Sequence, residues 1–308
     1  MEGVYCRKTT AEDYDDVISV RENVYNGLDY IPSRYHKFLE FSTGFGGFID
    51  NTMVSFMFAT VINDGQSILT HSMRIRKEYE RQGLATKTRN YCMQNMSSEA
   101  HEKVFVILSS SILEKVLRQT PAHVVFQRNI ATFKSTKAAI QTVSMPKSMS
   151  ASLKNVDEAY LRDVFRHQRA CAYLFPENKM ILSRLPYKLM PSNIKHIIRP
   201  ETEILASPNE LAFCKDGSLM ISAAIKDKCA AGTTMFLDIF GDISDEKNIT
   251  EHVFEQTKRL SVNCDEDSLM MYLTFPTQQN CDTLFRVLSE YTWTMVEQNI
   301  MYGLEQSI

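Results

Sequence analysis

A chain of 308 residues with 44% hydrophobic and 23% charged residues is long enough for about two packed cores of ordinary soluble composition. Its 34 basic and 37 acidic side chains leave a formal charge of −3 with no basic block, which argues against nucleic acid as a partner. No apolar run approaches the roughly 18 residues needed to span a bilayer, and Met1-Glu2-Gly3 does not begin a signal peptide; the chain is expected to be cytoplasmic, with no membrane partner.

In chain order, residues 4–8 read as a short strand, and Thr10-Ala11-Glu12-Asp13 has the Thr-x-x-Asp form of a helix start, after which Tyr14, Val17 and Ile18 face inward together. A loop through residues 27–33 leads to a helix near 34–41. Strands near 45–49, 54–62 and 67–75 follow as a meander. On the last of these Leu69, His71, Met73 and Ile75 share one parity, whereas Leu84, Thr88, Tyr91 or Cys92, and Met96 recur at helical spacing, predicting a helix from Gly83 to about Ala100. Residues 104–108 read as strand, 112–118 as helix, and the chain near Val124 as strand again.

Residues 134–154 carry no acid and are interrupted by Pro146, which predicts a boundary. Asn155-Val156-Asp157-Glu158 then starts a helix whose Tyr160, Leu161, Val164 and Phe165 share a face. Residues 174–198 read as a proline-punctuated connection. Beyond it come strands near Leu211, 219–225 and 233–240, a helix near 252–261, a strand at 270–275, a helix near 281–291 and extended residues to 304. The second half thus repeats the strand and helix order of the first. The expected organisation is 1–145, a connecting segment 146–200 with a helix, and 201–308.

Seven scattered cysteines without a Cys-x-x-Cys pair read as reduced thiols, and the dispersed histidines predict no metal site. The sixteen methionines suit adaptable core packing.

Chemistry is concentrated where the strand ending at Ile75 turns into the helix opening at Gly83. The first N–H groups of a helix lack carbonyl partners and, with the helix dipole, favour an anion such as a pyrophosphate. Gly83 permits close backbone approach, and Arg81 adds positive charge. The spacing Glu80-x-x-Gly83-x-Ala85 resembles the acetyl-CoA signature of the GNAT acyltransferase superfamily, with Glu80 where a basic or amide residue is common and Arg81 where many members carry a second glycine. The element order agrees with that fold: early helices, an antiparallel meander, then strand, cradle, helix and strand. The resemblance implies an α/β (α+β) GNAT fold with a central mixed, mainly antiparallel sheet, followed by a second, degenerate GNAT-like half. That half has no cradle, because Gly241-Asp242-Ile243-Ser244-Asp245 sets two acids where a phosphate would bind.

The run Gly27-Leu28-Asp29-Tyr30-Ile31-Pro32-Ser33-Arg34-Tyr35-His36 is similar to a loop and helix start of the vertebrate histidine N-acetyltransferase family. Further similarity lies in residues 69–85, Phe175-Pro176, Pro186-Tyr187, Ser192-Asn193, residues 237–241 and Tyr302-Gly303-Leu304-Glu305. It implies acetyl-CoA as co-substrate, no metal, and a small-molecule amine or free amino acid as acceptor, acetylated on its α-amine by direct transfer in a ternary complex. Backbone at Met73 and Ile75 would pair with the pantetheine arm, and Arg81, Gln82, Gly83, Leu84 and Ala85 would hold the pyrophosphate.

A free α-amine is mostly protonated at pH 7, the reference pKa at a chain terminus being about 8, and must lose a proton before attack. The family carries a Glu on the fourth strand, and the matching position here is His71, whose unperturbed pKa of about 6.5 suits a base; the alternative is a partly buried strand histidine in a protein of changed activity. Residues 110–123 hold no tyrosine to protonate the leaving thiolate, which leaves His123 or another group. Asp29, Tyr30, Arg34 and Tyr35 are the expected substrate contacts. Arg34 is suited to clamping a carboxylate and Tyr30 to stacking on an imidazole, the alternative being an Arg34 to Asp29 ion pair over packed tyrosines. Two other readings are a catalytically impaired CoA-binding sensor or scaffold, and a protein or peptide N-acetyltransferase.

Overall fold

The computed structural model describes residues 3–96, 99–145, 153–207, 219–262 and 264–308. The strand expected near Leu211, together with Cys214 and Pro146, lies outside the described residues.

The chain begins with β1 (Tyr5–Lys8) and α1 (Tyr14–Ser19). Between them Thr10 N–H donates to Asp13 Oδ2 at 2.8 Å, closing the expected capping box. Helix α2 (Ile31–Leu39) starts earlier than expected because Asp29 Oδ1 accepts the Ile31 N–H at 3.0 Å and Pro32 sits in the first turn, where a missing donor costs nothing. Strands β2 (Thr43–Ile49), β3 (Thr52–Ile62) and β4 (Ser67–Ile75) form the expected antiparallel meander. Helix α3 (Leu84–Asn95) is shorter than expected: Asn95 Nδ2 donates back to the Tyr91 carbonyl at 2.8 Å and Met96 is already extended.

β5 (Glu102–Ile107), α4 (Ser110–Gln119), β6 (His123–Thr136) and α5 (Lys137–Gln141) complete the first half. A two-residue β7 (Lys154–Asn155) leads into α6 (Glu158–Arg166), capped by Asp157, whose carboxylate accepts the Tyr160 N–H. After α7 (Gln168–Leu174), the expected connection is instead a hairpin, β8 (Lys179–Leu182) and β9 (Leu185–Lys188), followed by α8 (Ile194–Ile197) and β10 (Thr202–Ser207). The turn residues Ser183 and Arg184 both have positive φ, 50° and 70°. That is the hairpin turn usually built from Asn and Gly, so the sequence carried no signal for it. The rest is β11 (Met220–Cys229), β12 (Gly232–Gly241), α9 (Glu246–Val262), β13 (Ser268–Pro276), α10 (Asp282–Glu290) and β14 (Thr294–Ser307).

All strands except the β8–β9 hairpin form one twelve-stranded sheet in the order β1-β2-β3-β4-β5-β14-β6-β13-β12-β11-β10-β7. Among the described residues only β4 with β5 and β12 with β13 run parallel, so the sheet is mixed and mainly antiparallel. The C-terminal strand β14 inserts between β5 and β6, and β6 in turn pairs with β13. Backbone pairing therefore stitches the two halves of the chain together. One face of the meander is covered by Phe38, Phe56 and Phe58 under α2, each buried side chain contributing about 1.5–3 kcal/mol. A separate core under α9 and α10 holds Leu237, Val253, Leu273 and Leu288. Among the described residues no helix is long and apolar enough to cross a membrane.

Candidate active site

Strands β4 and β5 pair only at Ser67–Glu102, Ile68–Lys103 and Leu69–Val104, and then part. Beyond Leu69 the β5-facing backbone of β4 has no strand partner, leaving a wedge with donors and acceptors on one wall. On its other edge β4 bulges. Phe58 pairs with His71 and Phe56 with Arg74, so Ser72 and Met73 stand opposite the single residue Met57, and Ser72 takes φ 58°.

The bulge corrects the parity read from the sequence. Leu69 joins the core under α2, where His71 packs with its ring 5.5 Å from Phe58 and 5.0 Å from Phe38. Met73 packs on the opposite face with Ile68 and Cys92. An extra residue shifts every later side chain to the other face, and no alternation rule anticipates it.

The wedge opens into a cavity of about 80 Å³ bordered by Tyr30, Leu69, His71, Ser72, Val106 and Arg184. A larger cavity of about 300 Å³ shares Tyr25, Leu108 and Arg184 with it and is bordered further by Tyr272 and Glu297 from the second half. At the wedge the Ser72 hydroxyl lies 2.9 Å from the Tyr30 hydroxyl and 2.9 Å from His71 Nδ1, an unbroken hydrogen-bonded chain. His71 Nε2 is buried without a hydrogen-bond partner among the described residues. Burial, reinforced by the Arg199 and Arg34 guanidiniums, pushes the imidazole down to about 3. The expectation of a base titrating near its ordinary value is corrected: the ring is neutral at physiological pH and a weak proton acceptor. Burial, with Tyr25 nearby, raises the Tyr30 phenol and keeps it a donor.

Of the four expected substrate contacts only Tyr30 borders this cavity. Arg34 is 3% exposed and ion-paired: Nε donates to Asp227 Oδ1 at 2.7 Å, Nη2 lies against the other oxygen, and Nη1 donates to Ser183 Oγ at 2.8 Å. Asp29 is gripped by both terminal nitrogens of Arg74, at 2.7 and 2.5 Å. The expected Arg34 to Asp29 pairing is therefore replaced by two exchanged pairs. Tyr35 is fully buried and its hydroxyl donates to the Thr10 carbonyl at 2.6 Å, so it packs beneath the loop. His123 is two-thirds exposed beside Glu305 and does not border the wedge.

Past Ile75 the chain passes through Arg81 at φ 61° and Gly83 at φ 80° into α3. A Cβ placed on Gly83 meets nothing within 4 Å, so open space lies before the helix N-terminus. Arg81, Gln82 and Gly83 are exposed, Ala85 is half-buried and Leu84 anchors the turn in the core. Glu80, the unusual residue of the cradle, is neutralised by Arg21. These residues suit a pyrophosphate: a helix of ordinary length, an open approach and an adjacent guanidinium. In the second half the acids that replace the cradle bond their own chain. Asp242 Oδ1 accepts the Ser244 N–H at 2.8 Å and Asp245 Oδ1 the Asn248 N–H at 3.1 Å, filling the start of α9.

The sequence reading missed Ser72, Arg74, Ser183, Arg184 and Asp227. None of them stands out in its own window; Asp227, for example, lies between Lys226 and Lys228 near the end of β11.

A family model described as "Histidine N-acetyltransferase, C-terminal" matches residues 149–276. The histidine N-acetyltransferase of Oreochromis niloticus is 21% identical over 233 residues, covering 69% of this chain and 68% of that protein. Among solved structures, a tandem GNAT protein from the clavulanic acid biosynthesis pathway aligns with a TM-score of 0.59 at 7% identity, covering 97% of this chain and 98% of that one. The Saccharomyces cerevisiae N-myristoyltransferase with bound myristoyl-CoA aligns with a TM-score of 0.59 at 10% identity, covering 99% and 79%. The parted β4 and β5, the bulge and the helix opening at Gly83 thus belong to the GNAT acyltransferase fold, here in tandem form. Within that class the chain is similar to histidine N-acetyltransferases.

Proposed function

We propose that this protein is an acetyl-CoA-dependent N-acetyltransferase that acts on the α-amine of a free amino acid, histidine or one like it, by direct transfer in a ternary complex. The observation that carries the reading is the parting of β4 from β5 beside the Tyr30–Ser72–His71 chain. Acetyl-CoA supplies a thioester carbon that the unprotonated amine attacks; the C–N bond forms, the C–S bond breaks with its electron pair leaving on the CoA sulfur, and the proton released from nitrogen ends on that thiolate, giving free CoA and the N-acetyl product. Backbone at Met73 and Ile75 holds the pantetheine arm, and the turn from Arg81 through Gln82, Gly83, Leu84 and Ala85 holds the pyrophosphate. The relatives named for histidine acetylation and the fold shared with a myristoyl-CoA-bound enzyme support both choices.

Within the wedge, the Ser72 oxygen accepts a hydrogen bond from the incoming amine and its hydroxyl donates to His71 Nδ1, while the Tyr30 phenol donates to the same oxygen, so the chain orients the amine. Because His71 is a weak acceptor, the amine is drawn from its unprotonated fraction. Segment 1–145 carries the acyl-donor site, 146–200 supplies the hairpin beside the wedge, and 201–308 closes the acceptor side. A cytoplasmic setting agrees with the six described cysteines all being free thiols.

Incubation with radiolabelled acetyl-CoA and each free amino acid in turn tests the proposal, with labelled product expected for at least one. No product from any of them, while acetyl-CoA still raises the melting temperature, overturns it in favour of a CoA-binding sensor or scaffold, the reading that the low proton affinity of His71 favours.

A further inference from the structure

Arg184 is 7% exposed, and among the described residues it pairs with no carboxylate. Neither its Nε nor its Nη2 has a hydrogen-bond partner. Its guanidinium carbon lies 4.8 Å from the ring centres of Tyr25, Phe236 and Tyr272 and 5.6 Å from that of Tyr30. Ring faces partly compensate a buried cation, but they take none of its directed N–H bonds. Two other buried guanidiniums of this region are ion-paired, Arg34 with Asp227 and Arg74 with Asp29, whereas Arg128, fully buried over the Phe240 ring and donating to the Ile239 carbonyl, borders neither cavity.

The backbone that presents Arg184 is itself held in an uncommon state. Ser183 and Arg184 take φ 50° and 70°, which disfavours side chains other than those of Gly, Asn and Asp. The turn is fixed from three sides: Ser183 N–H donates to Asp238 Oδ2 at 2.7 Å, Ser183 Oγ accepts from Arg34, and Arg34 is in turn clamped by Asp227. Asp238 is further bonded by Thr274. Strain that the surroundings over-determine is characteristic of a functional position. The result is a rigid, caged cation at the junction of the two cavities, beside Ser72 and His71.

We propose that Arg184 is the specificity residue of the acceptor site and receives the carboxylate of the incoming amino acid. The inference rests on the transferase reading for its acceptor, and it assigns a recognition element to a residue that the sequence left unremarked. Geometry favours an α-amino acid over a protein chain. In a free α-amino acid one carbon separates the amine from the carboxylate, so both reach the groups bordering a cavity of about 80 Å³. At a protein N-terminus that position is an amide, which leaves the buried guanidinium unpaired. The fork of Arg184 also matches a carboxylate bidentately, which a lysine ammonium does not.

The test uses the full chain and two readouts, calorimetric binding and acetyl transfer, with each free L-amino acid and its carboxamide. For the parent protein at least one amino acid is expected to bind about 100-fold more tightly than its amide, and Arg184→Met to remove that difference. Arg184→Lys is expected to recover only a small part of it. Acetyl-CoA is expected to raise the melting temperature of both variants as it does that of the parent, which shows that they are folded. Binding of the amino acid that depends on Arg184 without any transfer supports the clamp and overturns the transferase reading. Transfer that prefers the acid over the amide equally in parent and Arg184→Met leaves the transferase reading standing and overturns the clamp. Failure of every amino acid to bind the parent, or equal binding of acid and amide, also overturns the clamp. If Arg184→Met does not fold, Arg184→Lys decides: an unchanged acid to amide ratio overturns the clamp, and a reduced ratio supports it.

Discussion

Arg34 Nε donates to Asp227 Oδ1 at 2.7 Å across 193 residues of sequence, and the two side chains are 4% and 2% exposed. This pair ties α2 to β11 and, through Ser183, holds the hairpin turn in place. Arg34→Met strands a buried carboxylate and is expected to cost about 3–5 kcal/mol in chemical denaturation. The double variant with Asp227→Leu is expected to recover most of that loss, because two apolar groups need no partner. Additive losses in the double variant would refute the pairing.

Acetyl-CoA at about 100 times its dissociation constant is expected to stabilise the protein by about 2.7 kcal/mol, read as a rise in melting temperature. Gly83→Asp is expected to abolish the rise, since a carboxylate would enter the open space before α3 and repel the pyrophosphate. Gly83→Asn tolerates the positive φ without adding charge and serves as the control. A full shift in Gly83→Asp would remove the cradle from the binding site.

Ser72→Ala and Tyr30→Phe each cut the chain that ends on His71. Each is expected to lower kcat by about 100-fold while leaving the acetyl-CoA melting shift intact. Groups acting as one relay are non-additive, so the double variant is expected to lose little more than either single one. Multiplied losses would show that the two hydroxyls act separately.

With His71 held near 3, the transfer rate is expected to climb with the free-amine fraction toward about pH 8, without an inflection near 6.5. His71→Ala is expected to lower the rate at every pH and keep the shape of the profile. An inflection near 6.5 that vanishes in His71→Ala would make this histidine a conventional base.

Acid stability follows from three imidazoles that burial pushes down, His71, His252 and His196, the last to about 4. Burial pushes His252, bonded to Ser222 Oγ at 2.7 Å and Ser207 Oγ at 3.1 Å, down to about 3, as burial does His71. The unfolded chain then binds more protons than the folded one between about pH 6.5 and 3, so stability is full above that window and falls through it on acidification. Each group contributes a slope of up to about 1.4 kcal/mol per pH unit, and His252→Gln is expected to flatten the curve measured by urea denaturation. An unchanged slope would show that His252 does not titrate with unfolding.

What the sequence determined by itself is local. The extent of β4, Ser67 to Ile75, was legible although its facing was not, and the change of period at Gly83 marked the helix start, because strand propensity and helix nucleation depend on near neighbours. The capping box at Thr10 and the acids that close the start of α9 were legible for the same reason. The tertiary structure decided the chemistry of the wedge. The bulge at Ser72 exists only through the register of β3 on β4, the proton affinity of His71 follows from what surrounds it, and Asp29 and Arg34 found their partners in Arg74 and Asp227. The hairpin that lifts Arg184 into the cavity is held by Asp238 and Arg34 from distant parts of the chain. Burial and ion pairing are sums over groups that folding brings together, so no window of neighbouring residues contains them.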